Sequence, residues 1–207
     1  MNTSEYLTTK YGSGSPKVVT GVFRKDLYRI FAELELKTGC EVGVFRGRNA
    51  REMFRRIPDL KLYGVDPFMD APSSSKHYNL PRFERNERNT LERTAGRNFT
   101  LKKGFSEVVV QEFPYYSLDF VYIDGDHSYD YVMTDIILWA RRVRPGGIVS
   151  GHDYLLPKKY DGRLDLNVKQ AVDDYLKIHR ITNFYITDNT DATNASDYCS
   201  SWFFVKE

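Results

Sequence analysis

Cysteine, histidine, methionine and tryptophan are all scarce in this chain of 207 residues, with two, four, four and two of each. Two cysteines, Cys40 and Cys199, point to free thiols rather than a disulfide framework. Charge of one sign is also lacking, because 30 Lys and Arg stand against 28 Asp and Glu, a formal net charge of +2. That balance gives no reason to expect nucleic acid or an anionic membrane as partner, and any basic patch must be local. No apolar run reaches the ~20 residues needed to cross a bilayer. The opening MNTSEYLTTKYGSG lacks the charged-then-apolar pattern of a secretory leader, so a cytoplasmic location is expected. What is present is 41% hydrophobic and 14% aromatic residues, enough for one sizeable core.

Along the chain, helical and strand patterns alternate without repeats. The polar, Gly- and Ser-containing opening predicts a flexible arm over residues 1 to 17, followed by a single domain over residues 18 to 207. VVTGVFRKDLYRIFAELEL places Val22, Leu27, Ile30, Phe31 and Leu34 at helical spacing, which predicts one amphipathic helix over residues 18 to 36. CEVGVF reads as a buried strand, RGRNAREMFRRI as a helix and KLYGVD as a strand ending at Asp66. Residues 67 to 97 read as an elaborated crossover or lid that becomes helical near Arg82. NFTLKKG, LDFVYI and the stretch after RPGG read as further strands, with SEVVVQEF a short helix and NVKQAVDDYLKIH a longer one. FYIT and SWFFVK, joined by a polar loop, predict an antiparallel hairpin. Strand–helix units closed by a hairpin imply an α/β fold: a Rossmann-like, doubly wound sheet, mostly parallel with one reversed strand and helices on both faces.

The densest chemistry lies between residues 118 and 154. One strand ends in Asp124, Asp126 and His127, and the next ends in His152 and Asp153. Parallel strands present their carboxyl ends to one crevice, so these groups should converge. The first strand end supplies a second constellation, E-x-G-x-x-x-G, in Glu41, Gly43, Phe45 and Gly47. Glycines there let backbone approach a ligand, and the helix that follows offers free amide donors. Phe45 stands where the dinucleotide fingerprint has its middle glycine, which counts against a nicotinamide-dependent oxidoreductase without removing it. Asp66, at the second strand end, is placed to accept ribose hydroxyls. A purely structural turn at Gly43 and Gly47, with Asp66 as a cap, stays open beside this reading.

The segments EVGVFRG, GVDPF, KGFSE, YIDGDHSYD, RPGG and GHDY, in this order and spacing, together resemble the class I S-adenosylmethionine-dependent methyltransferases. The subgroup most similar is methyltransferase family 24, small-molecule O-methyltransferases. The resemblance runs from the first helix to the C-terminus. It implies a seven-stranded sheet with an antiparallel last strand, and S-adenosylmethionine as cofactor. Glu41 and Gly43 would then line the methionine end, with Phe45 and Gly47 in the same turn. Asp66 and Pro67 would stand at the ribose, and Gly104, Phe105 and Ser106 would border the adenine. Asp124 would lie near the transferred methyl.

Asp124, Gly125, Asp126 and His127 also resemble the D-x-x-K element of metal-dependent catechol and caffeoyl-CoA O-methyltransferases, with His127 on the position of the general base. Asp153 falls on a second metal-ligand acid, while Tyr154 replaces the Asn expected beside it. A divalent metal, Mg²⁺ or Mn²⁺, held by Asp124, Asp153 and His152 is the resulting expectation, and an imidazole ligand would shift preference toward Mn²⁺, Fe²⁺ or Zn²⁺. Methyl transfer is an in-line displacement that needs an aligned, deprotonated nucleophile, so Asp124 and His127 are the candidate catalytic pair. The partner implied is a small hydroxylated or sugar-containing acceptor, and a homo-oligomer is compatible with the chain. A cofactor-binding module without transferase activity is the alternative of a different class.

Overall fold

The computed structural model describes residues 2–69, 80–154, 167–188 and 199–207. Part of the expected lid, part of the loop after Tyr154 and most of the hairpin loop lie outside them. The strands are β1 (Lys17–Val19), β2 (Thr38–Val42), β3 (Lys61–Asp66), β4 (Phe99–Lys103), β5 (Leu118–Ile123), β6 (Val143–Tyr154), β7 (Phe184–Thr187) and β8 (Ser200–Val205). The helices are α1 (Thr3–Tyr11), α2 (Leu27–Glu33), α3 (Arg48–Arg56), α4 (Leu80–Thr94), α5 (Ser106–Val109), α6 (Tyr129–Ala140) and α7 (Val168–Ile178). They build one sheet in the order β1-β7-β8-β6-β5-β2-β3-β4. Neighbours pair in parallel except β8, which is antiparallel to both β6 and β7. Central strands such as β5, LDFVYI, are buried along nearly their whole length, as a parallel strand covered on both faces must be. Two apolar clusters result, one around Trp139, Trp202 and Val121 and the other around Tyr28, Phe31 and Phe120.

Three sequence expectations are corrected here. The sheet has eight strands, not seven, because β1 adds to the free edge of β7 with Lys17 opposite Tyr185 and Val19 opposite Thr187. The single helix expected over residues 18 to 36 is split. Val18 and Val19 are β-branched and pair as strand, Gly21 turns the chain with a φ of +75°, and only Leu27–Glu33 is helical. The segment read as a flexible arm forms α1. Asn2 accepts from the Glu5 N–H, and the Glu5 carboxylate accepts from the Asn2 N–H, a reciprocal cap. Leu7 is fully buried among Leu27, Tyr28 and Phe31, and Lys10 and the Tyr6 hydroxyl both reach Glu33.

Leu7→Ala is therefore expected to lower unfolding free energy by about 2–3 kcal/mol in urea titration, since it opens a cavity under α1. An arm detached from the core would leave the midpoint unmoved.

Candidate active site

Strand register builds the crevice. Val65, Val42, Ile123 and Gly151 are successive partners across β3, β2, β5 and β6, so the next residue on each strand, Asp66, Gly43, Asp124 and His152, stands at one edge of the sheet. Gly43 has a φ of +87°, and a Cβ on it would lie 2.1 Å from the Asp124 carbonyl oxygen, so no other residue fits without moving the strand end. The Gly43 N–H donates to the Val65 carbonyl at 2.8 Å, and the Asp124 N–H donates to the Val42 carbonyl at 2.8 Å.

At the β3 end of this row, both Asp66 oxygens accept backbone donors: Oδ2 from the Phe45 N–H and Oδ1 from the Phe68 N–H, each at 2.7 Å. Burial pushes its carboxyl up and these donors oppose that. Phe45 is exposed, with a φ of +53° that few bulky residues adopt. Pro67 directly follows Asp66. Gly47 is different, because its φ is +66° but a Cβ there would meet the Thr90 backbone of α4 at 2.9 Å. Helix packing, rather than an open ligand face, accounts for that glycine. The Gly104 N–H donates to the Asp66 carbonyl at 3.2 Å, and Phe105 precedes α5 partly exposed. The Ser106 hydroxyl bridges Asp135 Oδ1 at 2.5 Å and the Trp139 indole N–H at 2.7 Å.

Glu41 is buried at 1% exposure. Its Oε1 accepts from Asn49 Nδ2 at 2.9 Å, while Oε2 is buried without a hydrogen-bond partner. An acceptor left unmade in that position costs free energy that a ligand's donor can recover. Burial pushes the Glu41 carboxyl up to about 8, opposed by Asn49 and reinforced by Asp124.

On the reacting side, His127 Nε2 lies 2.9 Å from Asp153 Oδ2 and 3.9 Å from Asp124 Oδ1. His152 Nδ1 lies 3.1 Å from Asp153 Oδ1 and 3.9 Å from Asp124 Oδ1. Asp153 reaches both imidazoles from a φ of +60°, a conformation held by the surrounding pairs. The His127 carbonyl is fixed by the Asn167 N–H ahead of α7, at 2.9 Å. Burial pulls the His127 imidazole down, but hydrogen bonds and charge from Asp124 and Asp153 outweigh it and push it up to about 10. Burial acts upward on Asp153 too, and the two imidazoles reverse it, holding its carboxyl far below the usual range. Asp126 lies one turn away and accepts from the Ser128 N–H at 2.8 Å, fixing the start of α6. Tyr154 faces elsewhere, its hydroxyl donating to Asp173 Oδ1 of α7 at 2.7 Å.

Arg24, which the sequence analysis did not single out, enters this group from the loop between β1 and α2. Its Nη2 donates to Asp124 Oδ2 at 2.5 Å, and Nη1 lies 3.5 Å from His152 Nδ1. Burial pushes the Asp124 carboxyl up, and Arg24 with the imidazoles more than reverses that. Asp124, His152 and Asp153 offer ligand atoms within 4.8 Å of one another, the spacing of a metal site. A divalent ion among them would share their space with the guanidinium. At about 4 Å and an effective dielectric near 20, a double and a single positive charge repel by about 8 kcal/mol. With Arg24 seated as it is, an ion at these residues would have to share Asp124 with the guanidinium and bear that repulsion.

Other residues absent from the sequence-based site are Asn49, Tyr28 and Asp135. The Tyr28 hydroxyl donates to Asn49 Oδ1 at 2.5 Å, which aims the Asn49 amide at Glu41. Asp135 is buried, and burial pushes its carboxyl up to about 7 against the Ser106 hydroxyl. An acid on the apolar face of α6, one position before Ile136, was a legible clue to it. Arg24 carried no such mark.

A family model described as a methyltransferase domain, methyltransferase family 24, matches residues 40–154, more than half of the chain. The chain belongs to this family. Solved structures of methyltransferases share its fold. The cofactor-bound Rv0187 from MTB superposes with a TM-score of 0.63 at 16% identity, over 88% of this chain and 79% of that one. The O-methyltransferase TomG from Streptomyces achromogenes, in complex with SAM, gives 0.61 at 16% identity, over 89% and 80%. The O-methyltransferase from Bacillus cereus, in complex with SAH, gives 0.61 at 17% identity, over 88% and 80%. No curated protein sequence matches the chain. The matched residues of the methyltransferase domain contain the whole row from Gly43 to His152, whereas Arg24 lies outside them. Among the described residues no helix is long and apolar enough to cross a membrane.

Glu41 yields a signed pH prediction. Its folded pKa is raised, so its contribution to stability is whole below the unfolded value near 4.3 and is lost as pH rises through about 8. Glu41→Gln should gain on the wild type by a few kcal/mol between roughly pH 5 and 9, read as the difference in their melting temperatures.

Proposed function

We propose that this protein is an S-adenosylmethionine-dependent O-methyltransferase acting on a small hydroxylated acceptor. The observation that carries this reading is the aligned row Asp66, Gly43, Asp124 and His152, with the His127 imidazole at one end of it. Family membership and neighbours solved with SAM and SAH support it.

When bound, S-adenosylmethionine supplies an electrophilic methyl group on a sulfonium. Glu41 Oε2, buried and unpartnered, fits the donors of its amino-acid end. Asp66 binds ribose hydroxyls with the lone pairs that the Phe45 and Phe68 N–H groups leave free. Phe105, partly exposed ahead of α5, would cover the adenine ring, and Ser106, held by Asp135 and Trp139, would border it. Gly43 keeps the backbone low enough for the cofactor to lie across the strand ends.

His127 takes the acceptor's hydroxyl proton at Nδ1, the nitrogen not committed to Asp153, and Asp153, 2.9 Å from Nε2, holds the imidazolium that forms. A base pushed up to about 10 matches a phenolic hydroxyl, whose ordinary pKa is about 10, far better than a sugar alcohol. Proton transfer between such a pair is nearly balanced in energy, so the imidazole would remove the proton as the acceptor oxygen bonds the methyl carbon and the C–S bond breaks, with S-adenosylhomocysteine leaving.

Calorimetric titration is expected to show S-adenosylhomocysteine binding and no NAD binding; NAD binding without it would overturn the reading and favour an oxidoreductase. With a phenol found by screening, kcat/KM should climb with pH and level off only near 10, because the free enzyme's base is protonated below that value. His127→Gln should abolish this climb and lower the rate by roughly two to four orders of magnitude, with S-adenosylhomocysteine affinity retained.

A further inference from the structure

Among the described residues that meet in the reacting centre, Arg24 is the one side chain that comes from outside the matched residues 40–154 and from outside the strand ends. Its side chain is only 18% exposed and addresses two of the three groups that could ligate an ion, Asp124 Oδ2 at 2.5 Å and His152 Nδ1 at 3.5 Å. Its guanidinium carbon sits 5.6 Å from the centroid of the Tyr122 ring, so an aromatic ring supports the charge. The loop that delivers it is tied down at the sheet edge. The Gly21 N–H donates to Asp188 Oδ2 at 3.0 Å, and the Asp188 N–H donates to the Val22 carbonyl at 2.8 Å.

We propose that Arg24 is the fixed cation of this centre, seated where a divalent ion would lie, so that the two carboxylates are balanced without a metal. This rests on the methyltransferase reading of the site and deepens it. An ion among Asp124, His152 and Asp153 needs a free lone pair on Asp124, and the guanidinium directs an N–H group at Asp124 Oδ2 while its other amino nitrogen stands 3.5 Å from the His152 ring. Arginine suits the position because its planar fork meets a carboxylate in fixed geometry and its charge is weakly hydrated, so burying it is less costly than burying an ammonium. Asp153, not Arg24, is left to pair with His127, which separates orientation of Asp124 from support of the base.

The competing role is that of an outer support, in which Arg24 orients Asp124 for a bound ion. The two roles predict opposite signs. Loss of an outer support weakens metal affinity by about 10- to 100-fold, whereas loss of a resident cation strengthens it.

The test is titration of the purified full chain with Mn²⁺, followed by electron paramagnetic resonance of the free ion, and with Zn²⁺ by equilibrium dialysis. The wild type is expected to hold no stoichiometric ion. Arg24→Ala and Arg24→Met, the second keeping an apolar stem against Tyr122, are each expected to bind at least about tenfold more tightly. Asp153→Asn added to either should remove the gained site. A stoichiometric ion in the wild type, or variants that bind no better than it, overturns the proposal. Thermal unfolding identifies a variant that has lost its fold, in which case the other decides. Binding of S-adenosylhomocysteine by the wild type reports separately on the methyltransferase reading, because neither metal titration requires the cofactor.

Discussion

The contact between Gly43 and the Asp124 backbone is the constraint on which the crevice depends. A Cβ at position 43 would stand inside the Asp124 carbonyl group, so the turn after β2 and the end of β5 can approach only because one side chain is missing. That approach lets the Asp124 N–H reach the Val42 carbonyl and keeps both strand ends in step with β3 and β6. Asp66, Gly43, Asp124 and His152, each one residue beyond the aligned positions, are then placed by backbone pairing. Acidic and imidazole groups scattered over more than eighty positions of sequence meet without any loop having to find its own conformation.

Electrostatics divide this edge into two halves. Around Glu41 the carboxyl has one side-chain donor and the charge of Arg24 acts on it too weakly to offset burial, which dominates and favours its neutral form. Around Asp153 two imidazoles lie within 3.1 Å, so the same burial is overridden and the anion is favoured. One carboxyl kept neutral and another kept charged, a few residues apart across the sheet, give a crevice with a polar but uncharged end and an ionic end. The first suits binding and the second suits proton movement.

Much of this was legible in the sequence, because alternation of apolar runs and helical patterns marks most of the strands and helices directly. The residues at strand ends were legible for the same reason, since the topology assigns them to one crevice before any distance is known. What stayed hidden was set by tertiary pairing. KVV of β1 is too short to stand out, and it is a strand only because β7 offers a free edge. Leu7 is a lone apolar residue in a polar stretch, and only the groove beside α2 makes it core. Arg24 sits in a local pattern, FRKD, typical of a solvated surface, while its partner Asp124 is one hundred residues away. Gly47, a glycine in a suggestive motif, also admits the close packing of α4, which the motif did not announce.

The eighth strand gives the protein a division of labour along its length. The portion that matches the methyltransferase domain contains the crevice floor, the acids and both imidazoles. The guanidinium arrives on a strap consisting of α1, β1 and the loop after it, fastened to the opposite edge of the sheet from β4. Leu7 and Val19 of that strap are buried in the core beneath it, so the seating of the guanidinium and the packing of this sheet edge are set by the same residues.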